Sequence, residues 1–201
     1  NLDYPGLEQV KKAYHEDRFE EASQELLNYY RQRTGIVNPF LDLKNITISP
    51  TQQKWAEDAL QHTFFVHNGY QPSYNYGKDI NWQYWPIRDN ELRWQLHRHK
   101  WFTPMGKVYW LTKDEKYAKE WAYQFMDWIK KNPLQQIDPI LYEVYDVDAV
   151  KGLAENVRFA WRPLEASGRL QDQINQFTLF LNSQAFTPAF LTDFLVNYAR
   201  H

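Results

Sequence analysis

Apolar side chains recur at helical spacing along most of this chain. Val10, Ala13 and Tyr14 face Phe19, Ala22, Leu26, Leu27 and Tyr30 when both segments are wound at 3.6 residues per turn. Leu7 to His15 and Phe19 to Arg33 are therefore expected to form a helical hairpin around the turn-like Glu16 and Asp17. A polar, proline-punctuated stretch from Thr34 to Pro50 follows, then a shorter helix from Thr51 to about His62 with Ser49 or Thr51 as its cap. Asn90 to Leu111 reads as mostly helical, with a kink or break at Pro104. Asp114 to Lys131 carries Tyr117, Trp121, Phe125 and Trp128 at helical spacing, a stripe that belongs in a core, and Asn132-Pro133 ends it. Asp148 to Leu181 resumes helix with an interruption near Pro163 or Gly168, and Thr187-Pro188 starts the last helix as cap and first residue. No segment alternates as a strand does, so the expected fold class is all-α, built from antiparallel helical hairpins.

The pattern is lost twice. Thr63 to Arg88 is broken by Gly69, Pro72, Gly77 and Pro86 and carries four Tyr and two Trp. Aromatic density of that kind disfavours disorder, so this segment is expected to be an ordered loop walling a cleft. Pro139 to Val147, with Tyr142 and Tyr145, is a second loop.

Length and composition narrow the function. A chain of 201 residues suits one domain with an adequate core. It begins without Met and stops within a helical pattern, so it is expected to be a piece of a longer polypeptide. A net charge of -2 argues against a nonspecific nucleic-acid binder, and no apolar run is long enough for membrane insertion. The absence of cysteine removes disulfides and thiolate metal sites. Six histidines (His15, His62, His67, His97, His99 and His201) form neither HxxxH nor HExxH, so neither a metal nor another cofactor is expected. No nucleophile elbow, phosphate loop or dinucleotide fingerprint is present. Aromatic residues make up 17% of the chain, including nine Trp, more than a core of this size demands. Some should form a stacking surface.

Two stretches carry candidate chemistry. In DINWQYWPIRDNELRWQLHRHKW, from Asp79 to Trp101, a helix starting at Asp89 or Asn90 places Glu91, Trp94, Gln95 and Arg98 on one side and Arg93, His97 and Lys100 on a neighbouring basic stripe. Both stripes are expected to stay out of the core, because such residues are rarely buried unless paired. Trp82, Tyr84 and Trp85 lie just upstream as candidate stacking rings. The second stretch holds Glu155, Asn156, Arg158, Trp161, Arg162, Glu165 and Arg169. If Pro163 leaves the helix intact, Arg158, Arg162, Glu165 and Arg169 share one face. The guanidinium fork suits carboxylates and sulfates, and Glu165 can orient two arginines. An internal ion-pair network fits the same residues equally well. Acids suitable for a glycosidase also occur (Asp79, Asp89, Glu91, Glu155 and Glu165), but their number does not define a catalytic pair.

Three strings in order, DINWQYWPIRDNELRWQLHRHKW, MGKVYWLTKDEKYAKEWAYQFMDWIKKNPL and ENVRFAWRPLEASGRLQDQ, resemble the N-terminal region of heparinase II/III-like polysaccharide lyases. The resemblance covers most of the chain. It implies an incomplete (α/α) toroid, continued by the rest of the toroid and a β-sandwich further along the same polypeptide. It also implies an acidic polysaccharide substrate, heparan sulfate, eliminative cleavage at uronic acid, and a periplasmic or secreted location. Trp82, Tyr84 and Trp85 would then stack on sugar faces, while Arg93, Arg98, Asn156, Arg158 and Arg162, with Glu165, would meet acidic groups. Members of the family use an Asn in an Asn-His type motif, a Tyr and a His for catalysis. Here His67 precedes Asn68 instead, so no catalytic residue is assigned. Another toroid carbohydrate enzyme, such as an alginate lyase or a glycosidase, and a non-catalytic helical interaction module are the alternatives.

Overall fold

The computed structural model describes residues 2–35, 38–134 and 159–201. The expected loop from Pro139 to Val147, the residues Glu155, Asn156 and Arg158, and the start of the helix proposed from Asp148 lie outside the described residues.

The chain opens on the expected hairpin. Helix α1 (Glu8–His15) and helix α2 (Phe19–Gln32) are joined through Asp17, whose φ of 57° takes the chain through the left-handed region. Arg18 pairs with both Glu16 and Glu21 across the turn. Leu7, Val10, Ala13 and Ala22 form a small core of their own. Helix α3 (Pro50–Ala59) starts with a complete capping box: Ser49 Oγ accepts from the Gln52 amide at 3.2 Å while Gln52 Oε1 accepts from Ser49 N.

The expectation that no strand occurs meets one exception. Strands β1 (Thr63–Phe64) and β2 (Tyr74–Asn75) pair antiparallel, with Thr63 opposite Asn75 and Phe64 opposite Tyr74. Two residues per strand are too few for an alternating pattern to be visible in sequence. The Asn75 carboxamide, donating to Gln61 O at 2.6 Å and to Thr63 Oγ1 at 2.8 Å, holds this ribbon to the end of α3.

Helix α4 (Asn90–Leu96) begins on Asp89, whose carboxylate accepts from the Glu91 amide at 2.9 Å. It is shorter than the sequence suggested. His97 to Trp101 turn a corner, with His99 at φ 51°, before helix α5 (Phe102–Thr112) begins. Pro104 is the third residue of α5, where an amide hydrogen would have no intrahelical partner, so it causes neither kink nor break. Helix α6 (Glu115–Lys131) runs from its Asp114 cap to Asn132 as expected. Helix α7 (Pro163–Phe180) starts at Pro163 and passes through Gly168 without interruption. Helix α8 (Pro188–Arg200) uses Thr187 as its cap, the hydroxyl accepting from Phe190 N at 3.1 Å.

Helix α5 sits at the centre, packed on α3, α6 and α7, while α2 packs on α8. Gly106 makes the α5–α7 contact close: a Cβ there would lie 2.8 Å from Leu179 Cδ1. The indoles of Trp82, Trp101, Trp121 and Trp128 are fully buried, and each donates its N–H to a polar partner. The acceptors are Asp127 Oδ2 (2.8 Å), Gln124 Oε1 (2.8 Å), Gln176 Oε1 (3.1 Å) and His97 Nδ1 (3.1 Å) respectively. These bonds explain why Gln124, Gln176 and His97 are buried at all. The fold is thus mostly helical, and no helix among the described residues is long and apolar enough to cross a membrane.

Candidate functional site

Helix α7 brings the two sequence stretches together. Arg162 is its N-cap residue and Glu165 sits in its first turn, where the helix dipole favours a carboxylate. Arg98 arrives from the corner between α4 and α5. Its Nη2 donates to Glu165 Oε1 at 2.9 Å, and Arg162 Nε lies 2.7 Å from Oε2, an ion-pair contact rather than a directed hydrogen bond. Glu165 is 0% exposed, whereas the Arg98 and Arg162 side chains remain 23% and 30% exposed. One buried acid therefore holds two guanidiniums at the surface. The Arg162 guanidinium is also laid over the Trp94 ring, 3.8 Å from its centroid.

A deeper layer supports this pair. Arg169, one turn beyond Glu165, is buried, with its guanidinium 4.4 Å from the Trp128 ring centroid and 5.2 Å from that of Trp161. It donates from Nη1 to His97 O at 3.0 Å and from Nε to His201 Nε2 at 2.8 Å. His201 must then be neutral, with Nδ1–H donating to Asn197 O at 2.8 Å. Burial, reinforced by the Arg169 charge, pulls His201 down to about 4. It holds His97 and His99 well below the usual histidine value for the same reasons. Burial also lowers Arg169 to about 9, which leaves it cationic at neutral pH.

Several sequence expectations need correction here. Trp82 is 2% exposed, with Phe64 stacked on it and its N–H on Asp127, so it is a core residue and presents no face for stacking. Arg93 is buried too, its guanidinium 3.5 Å from the Phe159 ring centroid and 4.8 Å from that of Trp85. The two stripes expected to stay outside the core in fact contribute Arg93, Gln95 and His97 to it. Aromatic rings and hydrogen bonds replace part of the water these groups give up. Trp85 is half-buried against the core and carries Arg93 over its ring, while Tyr84 remains 43% exposed. The Arg162–Arg169 stripe is also not a single helix face, because Arg162 precedes the first residue of α7. The internal ion-pair reading of the acidic–basic cluster holds for Glu165, which pairs with Arg98 and Arg162 and leaves both arginine side chains partly exposed. Trp94 was not assigned a binding role from sequence, since its partner lies in a different helix-start segment.

Two guanidiniums clamped by one carboxylate leave a net charge of +1 and spare N–H donors, which suits binding of a carboxylate or sulfate. Among the described residues no group of three or more His, Asp or Glu side chains could hold a metal ion.

The whole chain is similar to known proteins. The family model of the heparinase II/III N-terminus matches residues 1–201. A heparin-sulfate lyase of Bacteroides stercoris is 62% identical over 201 residues, covering 100% of this chain and 30% of that protein. A heparin-sulfate lyase of Pedobacter heparinus is 45% identical over 207 residues, covering 98% of this chain and 28% of that one. Among solved structures, a heparinase III with methylated lysines has a TM-score of 0.91 at 66% identity, covering 100% of this chain and 31% of that chain. A heparan sulfate lyase from Pedobacter heparinus has a TM-score of 0.82 at 44% identity, covering 100% and 30%. The chain thus spans less than a third of the length of these relatives. It belongs to the heparinase II/III family, of which it is the N-terminal region.

Proposed function

We propose that this chain is the N-terminal helical part of a heparan-sulfate lyase and supplies a wall of its substrate cleft. The observation that carries the reading is the Glu165-clamped pair, Arg98 and Arg162, held at the surface beside Trp94. In the reaction proposed for the whole protein, the uronate carboxylate is neutralised, the proton at C5 is removed, and the 4-linked sugar is eliminated. Stabilising the enolate-like charge needs preorganised donors, and proton transfer needs a Tyr or His acid–base pair. This chain's share is to seat the acidic polymer: Arg98 and Arg162 hold carboxylate or sulfate groups, and Tyr84 offers an exposed ring to a sugar face. Asn156 and Arg158 are proposed as further contacts on sequence grounds.

The same reading places the helices in an incomplete (α/α) toroid, with a β-sandwich later in the polypeptide and a periplasmic or secreted setting. The names of the relatives support heparan sulfate over alginate. The test follows the products. Full-length protein given heparan sulfate should release oligosaccharides ending in an unsaturated uronate, and residues 1–201 alone should not. Cleavage by residues 1–201 alone would contradict the division of labour, and saturated products would contradict elimination.

A further inference from the structure

A cavity of about 220 Å³ opens beside the β1–β2 ribbon. It is smaller than the roughly 300–1,000 Å³ of a drug-sized site, and so has room for a single small ring. Its floor is apolar, made by the buried Phe64, Val66 and Leu92. Its rim is Tyr70, Gln71, Tyr74 and Ile87, of which Tyr74 is 41% and Ile87 47% exposed. Among the described residues, those lining the cavity include no charged side chain.

The rim chemistry is fixed by neighbouring elements. Tyr70 donates its hydroxyl proton to Asp89 Oδ2 at 2.7 Å, and Asp89 is held in turn as the cap of α4. The phenolic oxygen of Tyr70 is therefore left as an acceptor, with a carboxylate behind it. Gln71 supplies a carboxamide that both donates and accepts. A negative group placed here would find no cation among the described residues of the cavity wall and would feel the Asp89 charge. A neutral ring bearing a small methyl group would find an apolar floor for the methyl and an acceptor and a donor for an amide. A sugar ring carrying an acetamido substituent has that combination.

We propose that this cavity is a binding site for a neutral N-acetylated amino-sugar residue, seated by its acetamido methyl on Phe64, Val66 and Leu92. The choice of a sugar rests on the saccharide reading above. The anion-holding arginines take no part in it, so the two claims are separable by experiment.

The test uses the full-length protein labelled at isoleucine δ1 methyl groups, with the Ile87 signal assigned through Ile87→Val. Methyl N-acetyl-β-glucosaminide should move the Ile87 signal saturably, and methyl β-glucoside and methyl β-glucuronide should move it far less. The shift should be lost in Tyr74→Ala, an exposed position whose truncation leaves the core intact, and kept in Arg162→Ala. An Ile87 signal that stays still, that responds equally to all three sugars, or that responds unchanged in Tyr74→Ala would overturn the proposal. Loss of heparan-sulfate binding in Arg162→Ala with the Ile87 response intact would support both claims, and retention of that binding would count against the arginine pair alone.

Discussion

Arg98 reaches across 67 residues of sequence to donate to Glu165 at 2.9 Å, and the acid it meets is wholly buried while the arginine is not. That asymmetry makes Glu165 the organising member. A carboxylate taken out of water is stable only with its partners in place, and the partners are fixed in space as a result.

Removing the acid should therefore cost both stability and binding. Glu165→Gln leaves two guanidiniums facing a neutral amide, and breaking a buried pair of this kind costs about 3 kcal/mol or more. Arg162→Ala removes a 30% exposed partner but leaves the Arg98 hydrogen bond on Glu165, so it should cost less than Glu165→Gln. Denaturant titration of both variants checks the order, and equal small losses would show that Glu165 is not the organising charge.

The α5–α7 contact depends on a missing side chain. In Gly106→Ala the new methyl would meet Leu179 Cδ1 at 2.8 Å and Phe180 Cε2 at 3.1 Å. The higher helix propensity of Ala favours the change by about 1 kcal/mol, but overpacking of this kind typically costs about 1–3 kcal/mol. A net loss of stability is expected in thermal unfolding. A gain would mean that the two helices move apart without penalty.

Acid should weaken the fold through the histidines around Arg169. His201 has a folded value of about 4 against 6.5 in the unfolded chain, so the unfolded state takes up the proton first. Its contribution is fully present above about pH 6.5 and is lost as pH falls towards 4, by up to about 3 kcal/mol. His97 and His99, which face the same Arg169 charge, shift in the same direction and add to the slope. Unfolding free energies measured from pH 7.5 to 4.5 should fall across that window, and His201→Gln should flatten part of the fall. A pH-independent stability would contradict the neutral His201 that accepts from Arg169.

Local signals in the sequence reached the helices but not their neighbours. The α1–α2 hairpin, the α6 stripe, the cap at Thr187 and the choice of caps at Ser49 or Thr51 and at Asp89 or Asn90 each depend on residues a few positions apart, and they were legible for that reason. Arg93 and His97 looked exposed because charge alone argues for water, and Arg169 fitted an acidic-ligand contact and an internal network equally well. What buries them is a set of rings, Phe159, Trp85, Trp128 and Trp161, contributed by distant segments. Trp82 was misplaced for the converse reason: it sits in a segment with no helical period, and only its contacts with Phe64 and Asp127 mark it as core. In the candidate site, residue types were informative and their arrangement was not. Arg98, Arg162 and Glu165 were identified as charged groups suited to an acidic ligand, but the pairing of Arg98 with Glu165 and the seat of Arg162 on Trp94 exist only in three dimensions.

The most direct measurement is the affinity of the full-length protein and its Arg98→Ala and Arg162→Ala variants for heparan-sulfate oligosaccharides, followed by tryptophan fluorescence at low and moderate salt. Alginate oligomers serve as the comparison. The account predicts saturable, heparan-preferring binding that survives moderate salt, weakened about tenfold or more by either substitution, the scale of a charge-assisted hydrogen bond or two, with Arg162→Ala lowering the unfolding free energy less than Arg98→Ala, which strips the buried Glu165 of its hydrogen-bonding donor. Variants that bind heparan sulfate as tightly as the parent would contradict the claim that the Glu165-clamped arginines form the wall of the substrate cleft.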